Sequence, residues 1–399
     1  MKLRLFLYLA AISVVLAAVA APLRPARRPR YGGTMRVEIG AIVNSLDPSV
    51  AAANPEEAGA KAELDALLYD GRGEDGAFAG TAGSGAFRVS GWEAGKRAAF
   101  AANEDYRAGR PFVDSIDIQM GRSAHDRVLD LELNKADFAQ IPAELTRQAA
   151  DRGVRVSASQ PNELLALVFL KGRAATENAR VREAIARCID RAAIVNFILQ
   201  KEGEPAGGLL PQWSSGTAFL FPTETDARNA KEIWSQIPAP PKLVLGYDSA
   251  DTLEQSVAER IVVNAKEAGI SLVARAMPNS GTASAHTGSQ APRGDTILVD
   301  ARLIRLRMQS PIPRVSLTAF VDTLGPMAGI ETDPLPENAS PEDIYNFERG
   351  IVSSGRVAPL VWLPQVYGLS ARVRDWKQPA AGESWPLADV WLDSTTDTR

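Results

Sequence analysis

The most regular hydrophobic pattern in the chain lies between residues 164 and 275. Leu164 to Leu170 is an unbroken apolar run, as expected of a strand buried on both faces. Val181, Ile185, Cys188 and Ile189 then recur at helical spacing, with Asn178 placed to cap the helix they define. Asp190 is placed to cap a second helix, Arg191 to Leu199, with Ile194, Phe197 and Ile198 as apolar positions. After Pro238-Ala239-Pro240-Pro241, Leu243 to Tyr247 reads as a strand and Asp251 to Ala268 as a helix closed by Gly269. Ile270 to Ala274 is the return strand. This strand–helix–strand unit predicts a parallel pair.

Shorter patterns flank that block. Met35 to Ile39 alternates apolar and polar as a strand does, and Asn44 to Pro48 closes it as a turn. Residues 51 to 70 read as a helix, and Gly71 to Gly85 as a glycine-dense loop. Phe87 to Val89 and Ala98 to Ala101 predict strands about a turn at Glu93-Ala94-Gly95. Ile116 to Met120 is a further strand, before a helix carrying Asp126 to Leu133. Downstream, Asn279 to Gln290 is a loop leading to a strand at Thr296 to Val299, and Pro359 to Val366 is a mostly apolar run. Strands and helices alternate without an internal repeat, which predicts α/β architecture.

At 399 residues the chain exceeds what one ordinary core holds, so two lobes are expected. The formal net charge of −4 provides no basic field, which argues against a nucleic-acid partner. Lys2 and Arg4 precede an apolar run, Leu5 to Ala21, and Ala18-Val19-Ala20 offers a cleavage site. Arg24, Arg27, Arg28 and Arg30 follow, and such charges resist export. Two outcomes stay open: a signal peptide over 1–20 with a tether over 21–30, or an uncleaved membrane anchor. Both put the body of the protein in the periplasm or another extracytoplasmic space.

The one cysteine, Cys188, falls in a helical apolar pattern and reads as a buried thiol. His125 and His286 lie in unrelated segments, so no metal-ligand spacing occurs, and no cofactor is implied. Asp126, Asp130 and Glu132, near His125, read as the solvated face of a helix. No nucleophile elbow is present, and an enzyme is not expected. Gly71-Arg72-Gly73-Glu74-Asp75-Gly76 matches a dinucleotide fingerprint in letters only, lacking the strand before it and the helix after it.

Several stretches, in order, carry a resemblance. They are Tyr31 to Val37 with Leu46-Asp47-Pro48, and Gly83-Ser84-Gly85-Ala86-Phe87-Arg88-Val89 with Gly91 to Arg97. Asn103-Glu104-Asp105-Tyr106-Arg107-Ala108-Gly109-Arg110-Pro111-Phe112-Val113-Asp114 is the most specific. Ala136-Asp137, the paired-helix stretch Arg180 to Arg191, the unit at 242–275, and Val366 to Val373 with Trp376 complete it. Together these resemble extracellular solute-binding protein family 5, the dipeptide-, oligopeptide- and nickel-binding components of ABC importers.

The resemblance implies a class II periplasmic-binding-protein-like fold with two lobes. Lobe I would comprise 31–160 and 356–399, and lobe II 161–355. Only residues 49–82 fill a stretch that is much longer in the family, so the accessory small domain is largely missing. The implied function is capture of a peptide-like or other small polar solute between the lobes of a monomer, for an ABC transporter permease in the inner membrane. The alternative is a degenerate relative with a sensory or scaffold role at the membrane. Trp213, Gln309, Trp362 and Tyr367 are the implied ligand-binding residues. Gln309 stands, if Pro313 is the family's proline, where peptide-binding relatives carry an acid that pairs with the ligand's amino group. The competing reading of each ring is that it packs a core.

Overall fold

In the computed structural model, which describes residues 28–52, 55–69, 83–216, 220–278 and 298–393, the strands form two large sheets. The first lobe opens with β1 (Thr34–Glu38) and α1 (Pro55–Leu68), then the hairpin β2 (Phe87–Glu93) and β3 (Arg97–Ala102). It continues through β4 (Ser115–Gln119), α2 (Ala124–Glu132), β5 (Phe138–Ile141), α3 (Thr146–Asp151) and β6 (Arg155–Ala158). The chain then enters the second lobe through β7 (Glu163–Phe169).

The paired helices follow. The first is α4 (Ala179–Cys188), whose start is capped by Asn178 accepting from the Arg180 amide. The second is a short turn, Arg191–Ala193, that widens into a π-helical turn, Ile194–Ile198. Arg191 is fully buried and donates to the carbonyls of Ala186 and Pro359, tying the pair to the sheet beneath. Beyond them lie β8 (Glu204–Pro205), α5 (Ala227–Ser235), β9 (Leu243–Asp248), α6 (Thr252–Glu267), β10 (Leu272–Met277) and β11 (Ala301–Arg307). Helices α7 (Pro313–Ala328) and α8 (Pro341–Ser353) lead to β12 (Val357–Leu363). The chain re-enters the first lobe as β13 (Val366–Leu369) and closes with a two-stranded ribbon, β14 (Val373–Arg374) and β15 (Trp391–Leu392).

Strand order is β2-β3-β4-β1-β5-β13-β6 in the first sheet and β10-β9-β11-β7-β12-β8 in the second. β1 runs parallel to β4 and β5, while β9 runs parallel to β10 and β11. β7 is the central strand of the second sheet, and its composition follows from that position. Leu165, Leu167 and Phe169 enter one core with α4 and α6, while Leu164, Ala166 and Val168 enter another with α7 and α8. Both faces are covered from Leu164 onward, so the only polar position left is Glu163 at the strand's start.

The structure departs from the sequence expectations in several places. The strand expected at Thr296–Val299 is β11, starting at Ala301; Thr296 and Ile297 lie outside the described residues, as do most of the Gly71–Gly85 loop and the loop 279–290. Phe197 is not an apolar anchor but is 79% exposed, because the π-helical widening rotates it away from the core. β12 pairs with β7, so the return between sheets falls at 364–365 and not before 356. Helices α7 and α8 were not expected. Trp385 and Trp391, in the arm that ends the described chain, are buried, at 7% and 2% exposed, and Trp385 packs in the first-lobe core. The same arm inserts Ala381 into a core of the second lobe.

Candidate functional site

In open parallel sheets the carboxyl ends of the strands face the crevice where ligands bind. Here those ends are charged in both lobes and meet at the seam between them. From the first lobe come Glu38, the last residue of β1, Arg122 beyond β4, Arg127 and Asp130 on α2, and Glu144 beyond β5. From the second come Asp248 at the end of β9, Asp251 and Glu254 at the start of α6, and Arg305 and Arg307 on β11. Helix α1 lies against this seam: a side chain at Gly59 would meet the Arg307 guanidinium at 3.1 Å.

The seam is organised around arginines. Arg305 pairs with Asp251 at 2.7 Å and Glu163 at 3.6 Å. Burial alone would lower its pKa, but the carboxylates of Glu163 and Asp251 outweigh that and hold it above the ordinary value. Arg305 also draws on Glu144 across the seam, whose own carboxyl is raised, chiefly by burial. On the first-lobe side Arg122 ion-pairs with Asp130 and reaches Glu38 at 3.5 Å. Burial, then the negative charge of Asp130, pushes Glu38 up to about 7. Arg127 is 8% exposed, its Nε is buried without a hydrogen-bond partner among the described residues, and burial lowers its pKa. Asp130 is also buried, at 7% exposed, so it leaves the solvated face expected of α2, on which Glu132 remains exposed.

The residues implied by the resemblance fall in three places. Trp213 is half-buried on the one-turn helix Gln212–Ser215, and its Nε1 donates to the Pro161 carbonyl, in the passage between the lobes, at 2.8 Å. Gln309 is exposed just beyond β11, and its carbonyl abuts Gly382 of the C-terminal arm. Trp362 is 3% exposed in a second-lobe core beside Phe320, and Tyr367 is 2% exposed, stacked on Phe138 in the first. Tyr367 still reaches the seam. With the Gln365 amide oriented to satisfy both neighbours, its nitrogen donates to the Tyr367 hydroxyl at 3.0 Å and its oxygen accepts from Arg307 Nε at 2.9 Å.

Two cavities among the described residues measure about 10 and 30 Å³, and both lie in the second lobe. Among the described residues no group of three or more His, Cys, Asp or Glu side chains is disposed to hold a metal ion. Cys188 is buried, its thiol donating to the Ile185 carbonyl, and burial pushes it up to about 12. The sequence reasoning missed the seam charges. The available signal was a charged residue at the last position of three strands with parallel neighbours, Glu38 of β1, Asp248 of β9 and Arg307 of β11.

Comparison with known proteins decides the kinship. The profile of bacterial extracellular solute-binding proteins, family 5 middle region, matches residues 46–297. The chain belongs to this family. Among curated family-5 relatives, the oligopeptide-binding protein AppA of Bacillus subtilis is 26% identical over 156 residues, covering 36% of this chain and 26% of that protein. Heme-binding protein A of Haemophilus influenzae is 26% identical over 136 residues, 33% of this chain and 25% of that one. The matched region thus spans about a quarter of these relatives' lengths.

The solved structure of B. subtilis AppA with a nonapeptide superposes with a TM-score of 0.65 at 12% identity, covering 92% of this chain and 100% of that one. NikA of Staphylococcus aureus, in complex with Ni(L-His)2, gives 0.61 at 17% identity over 78% and 69%. At such identities the likeness establishes the family-5 fold: a mixed α/β architecture of two sheets.

Proposed function

We propose that this family-5 protein is an extracytoplasmic binder, not an enzyme, that captures a peptide-like or other small polar solute between its lobes for an ABC importer. The observation that carries the reading is the convergence of charged strand ends from both sheets on one seam. A solute making better contacts with both walls than with either alone favours the closed arrangement, which a permease can then recognise. Trp213, at the edge of a second-lobe core beside the passage between lobes, and Gln309, beside the arm that spans them, are the proposed solute contacts.

One observation favours the second reading, a sensory or scaffold protein at the membrane. Helix α1 lies against the seam, with the Arg307 guanidinium 3.1 Å from where a Gly59 Cβ would stand, and Arg305 is already paired with Asp251 at 2.7 Å, so seam charges are engaged without a solute. Thermal-shift titration with dipeptides, oligopeptides, nickel chelates and sugars separates the two. A solute that binds the native state raises the melting midpoint, and small-angle scattering with that solute should report a more compact particle. A folded sample that responds to none of these pools sinks solute capture and leaves the interaction role.

A further inference from the structure

The larger cavity, about 30 Å³, lies in the second lobe behind the turn at residues 207–211, and its wall is chemically one-sided. Glu348 of α8 lines it at 2% exposure. One carboxylate oxygen, Oε1, accepts from the amides of Leu209 at 2.5 Å and Leu210 at 2.9 Å. The other, Oε2, has no hydrogen-bond partner among the described residues. Glu204, exposed on β8, supplies a second carboxylate, Gln212 and Ser215 supply neutral polar groups, and Trp362 an aromatic wall. No Lys, Arg or His among the described residues lines the cavity. Turn and carboxylate are built for each other, since a side chain at Gly208 would strike Glu348 Oε1 at 2.6 Å.

A buried carboxylate without a counter-charge is costly, and two backbone amides offset only part of that cost. Burial pushes Glu348 up to about 7, opposed by those two amides and by no neighbouring cation. Glu204 is the other titratable group on the wall.

We propose that this cavity is a binding site for a singly charged cation of ammonium size, held by Glu348 Oε2 against Trp362. The volume admits one or two water-sized groups, and a carboxylate beside an indole suits a small cation. Two carboxylates without a third ligand of that kind do not make a divalent-metal site. The cation arrives either as a free ion or as the ammonium end of a larger amine. The site lies within one lobe, so it stands or falls apart from solute capture at the seam.

The test is the melting midpoint of the purified protein at fixed ionic strength and pH 8. Choline chloride is replaced by ammonium, potassium or n-butylammonium chloride. The expected result is a rise of about 1–3 °C with the small ions, since a ligand of the native state raises the midpoint. A rise with butylammonium as well assigns the ammonium end of an amine; a rise with the inorganic ions alone assigns a free ion. The response should vanish at pH 5.5, where the carboxyl is protonated, and in Glu348→Gln, which keeps the acceptor for both amides. Equal midpoints in all four salts, or an undiminished response in Glu348→Gln, overturn the site. Should that variant not fold, Gln212→Lys decides: an ammonium tethered at the wall should abolish the response, and a full response there overturns the proposal.

Discussion

Asp137 shows how much of the first lobe rests on one side chain. It is fully buried, yet it accepts from the Arg36 amide at 3.1 Å, from Arg36 Nε and Nη2 at 2.8 and 2.9 Å, and from Ser370 Oγ at 3.1 Å. Those partners belong to β1 and to the turn after β13, so one carboxylate fastens the start of β5 to both neighbouring strands. Removing it takes the acceptor from the Arg36 amide and the buried Ser370 hydroxyl, and one partner from a guanidinium that is 36% exposed, a loss of about 1–3 kcal/mol by the cost of leaving buried polar groups unsatisfied. Asp137→Ala should therefore lower the urea midpoint sharply, and Asp137→Asn less so, since an amide oxygen still accepts. A midpoint for Asp137→Ala within error of the parent contradicts this. Ala136-Asp137 was visible in the sequence as part of the resemblance, but its partners lie 101 and 233 residues away, and spacing alone could not name them.

Elements were legible where their determinants are local. Helix α6 carries its own start signal, Asp251 accepting from the amides of Leu253 and Glu254, and its own stop, Gly269 at φ +78°. Helix α7 was not legible, although Leu317, Phe320, Leu324 and Ala328 follow a helical period and are buried. Pro311, Pro313, Gly325 and Pro326 crowd the same stretch and read as breakers, whereas Pro313 begins the helix and Pro326 sits near its end. The seam charges were illegible for another reason: their burial is set by the opposite lobe. The junction of α1 with the hairpin shows the element scale at its tightest. Gly85 donates to the Leu68 carbonyl at 2.9 Å, and a Cβ there would press into the backbone of Leu67 and Leu68 and lie 2.7 Å from the Tyr69 nitrogen. Backbone cannot rotate aside as a side chain does, so Gly85→Ala should cost about 1–3 kcal/mol. Chemical denaturation would show it, whereas Gly83→Ala, with open space around its Cβ but φ +83°, should lose about 1 kcal/mol through backbone strain alone. Equal costs at the two glycines would contradict the steric account of Gly85.

At the scale of the whole molecule the unusual feature is a set of carboxyls kept from ionising. Glu38 at the seam, Glu254 at the start of α6 and Glu348 behind the 207–211 turn are each pushed up to about 7, with burial the first cause in every case. A folded-state value above the unfolded one means that the folded protein holds the proton more tightly. The contribution of each group is therefore complete below about pH 4.5, the ordinary glutamate range, and is lost as pH climbs through 7. For the deeply buried Glu254 and Glu348 the loss is on the order of 1–3 kcal/mol apiece. The carboxyls shifted the other way, Asp47, Glu177 and Asp343, are ionised throughout this window and leave its slope unchanged. The melting midpoint should thus be higher at pH 5.5 than at pH 8, the reverse of a protein held by paired surface carboxylates. Glu254→Gln should flatten the profile, since a neutral amide can still accept from the Asp248 amide, which the carboxylate meets at 2.8 Å. A midpoint that rises from pH 5.5 to 8 in the parent would mean that these groups ionise freely and that the seam is wetter than its packing implies. Along the same pH axis, acidification should loosen the grip of Glu144 on Arg305 across the seam. A more extended particle by scattering at low pH, with the midpoint still high, would then locate the weak joint between the lobes and not within them.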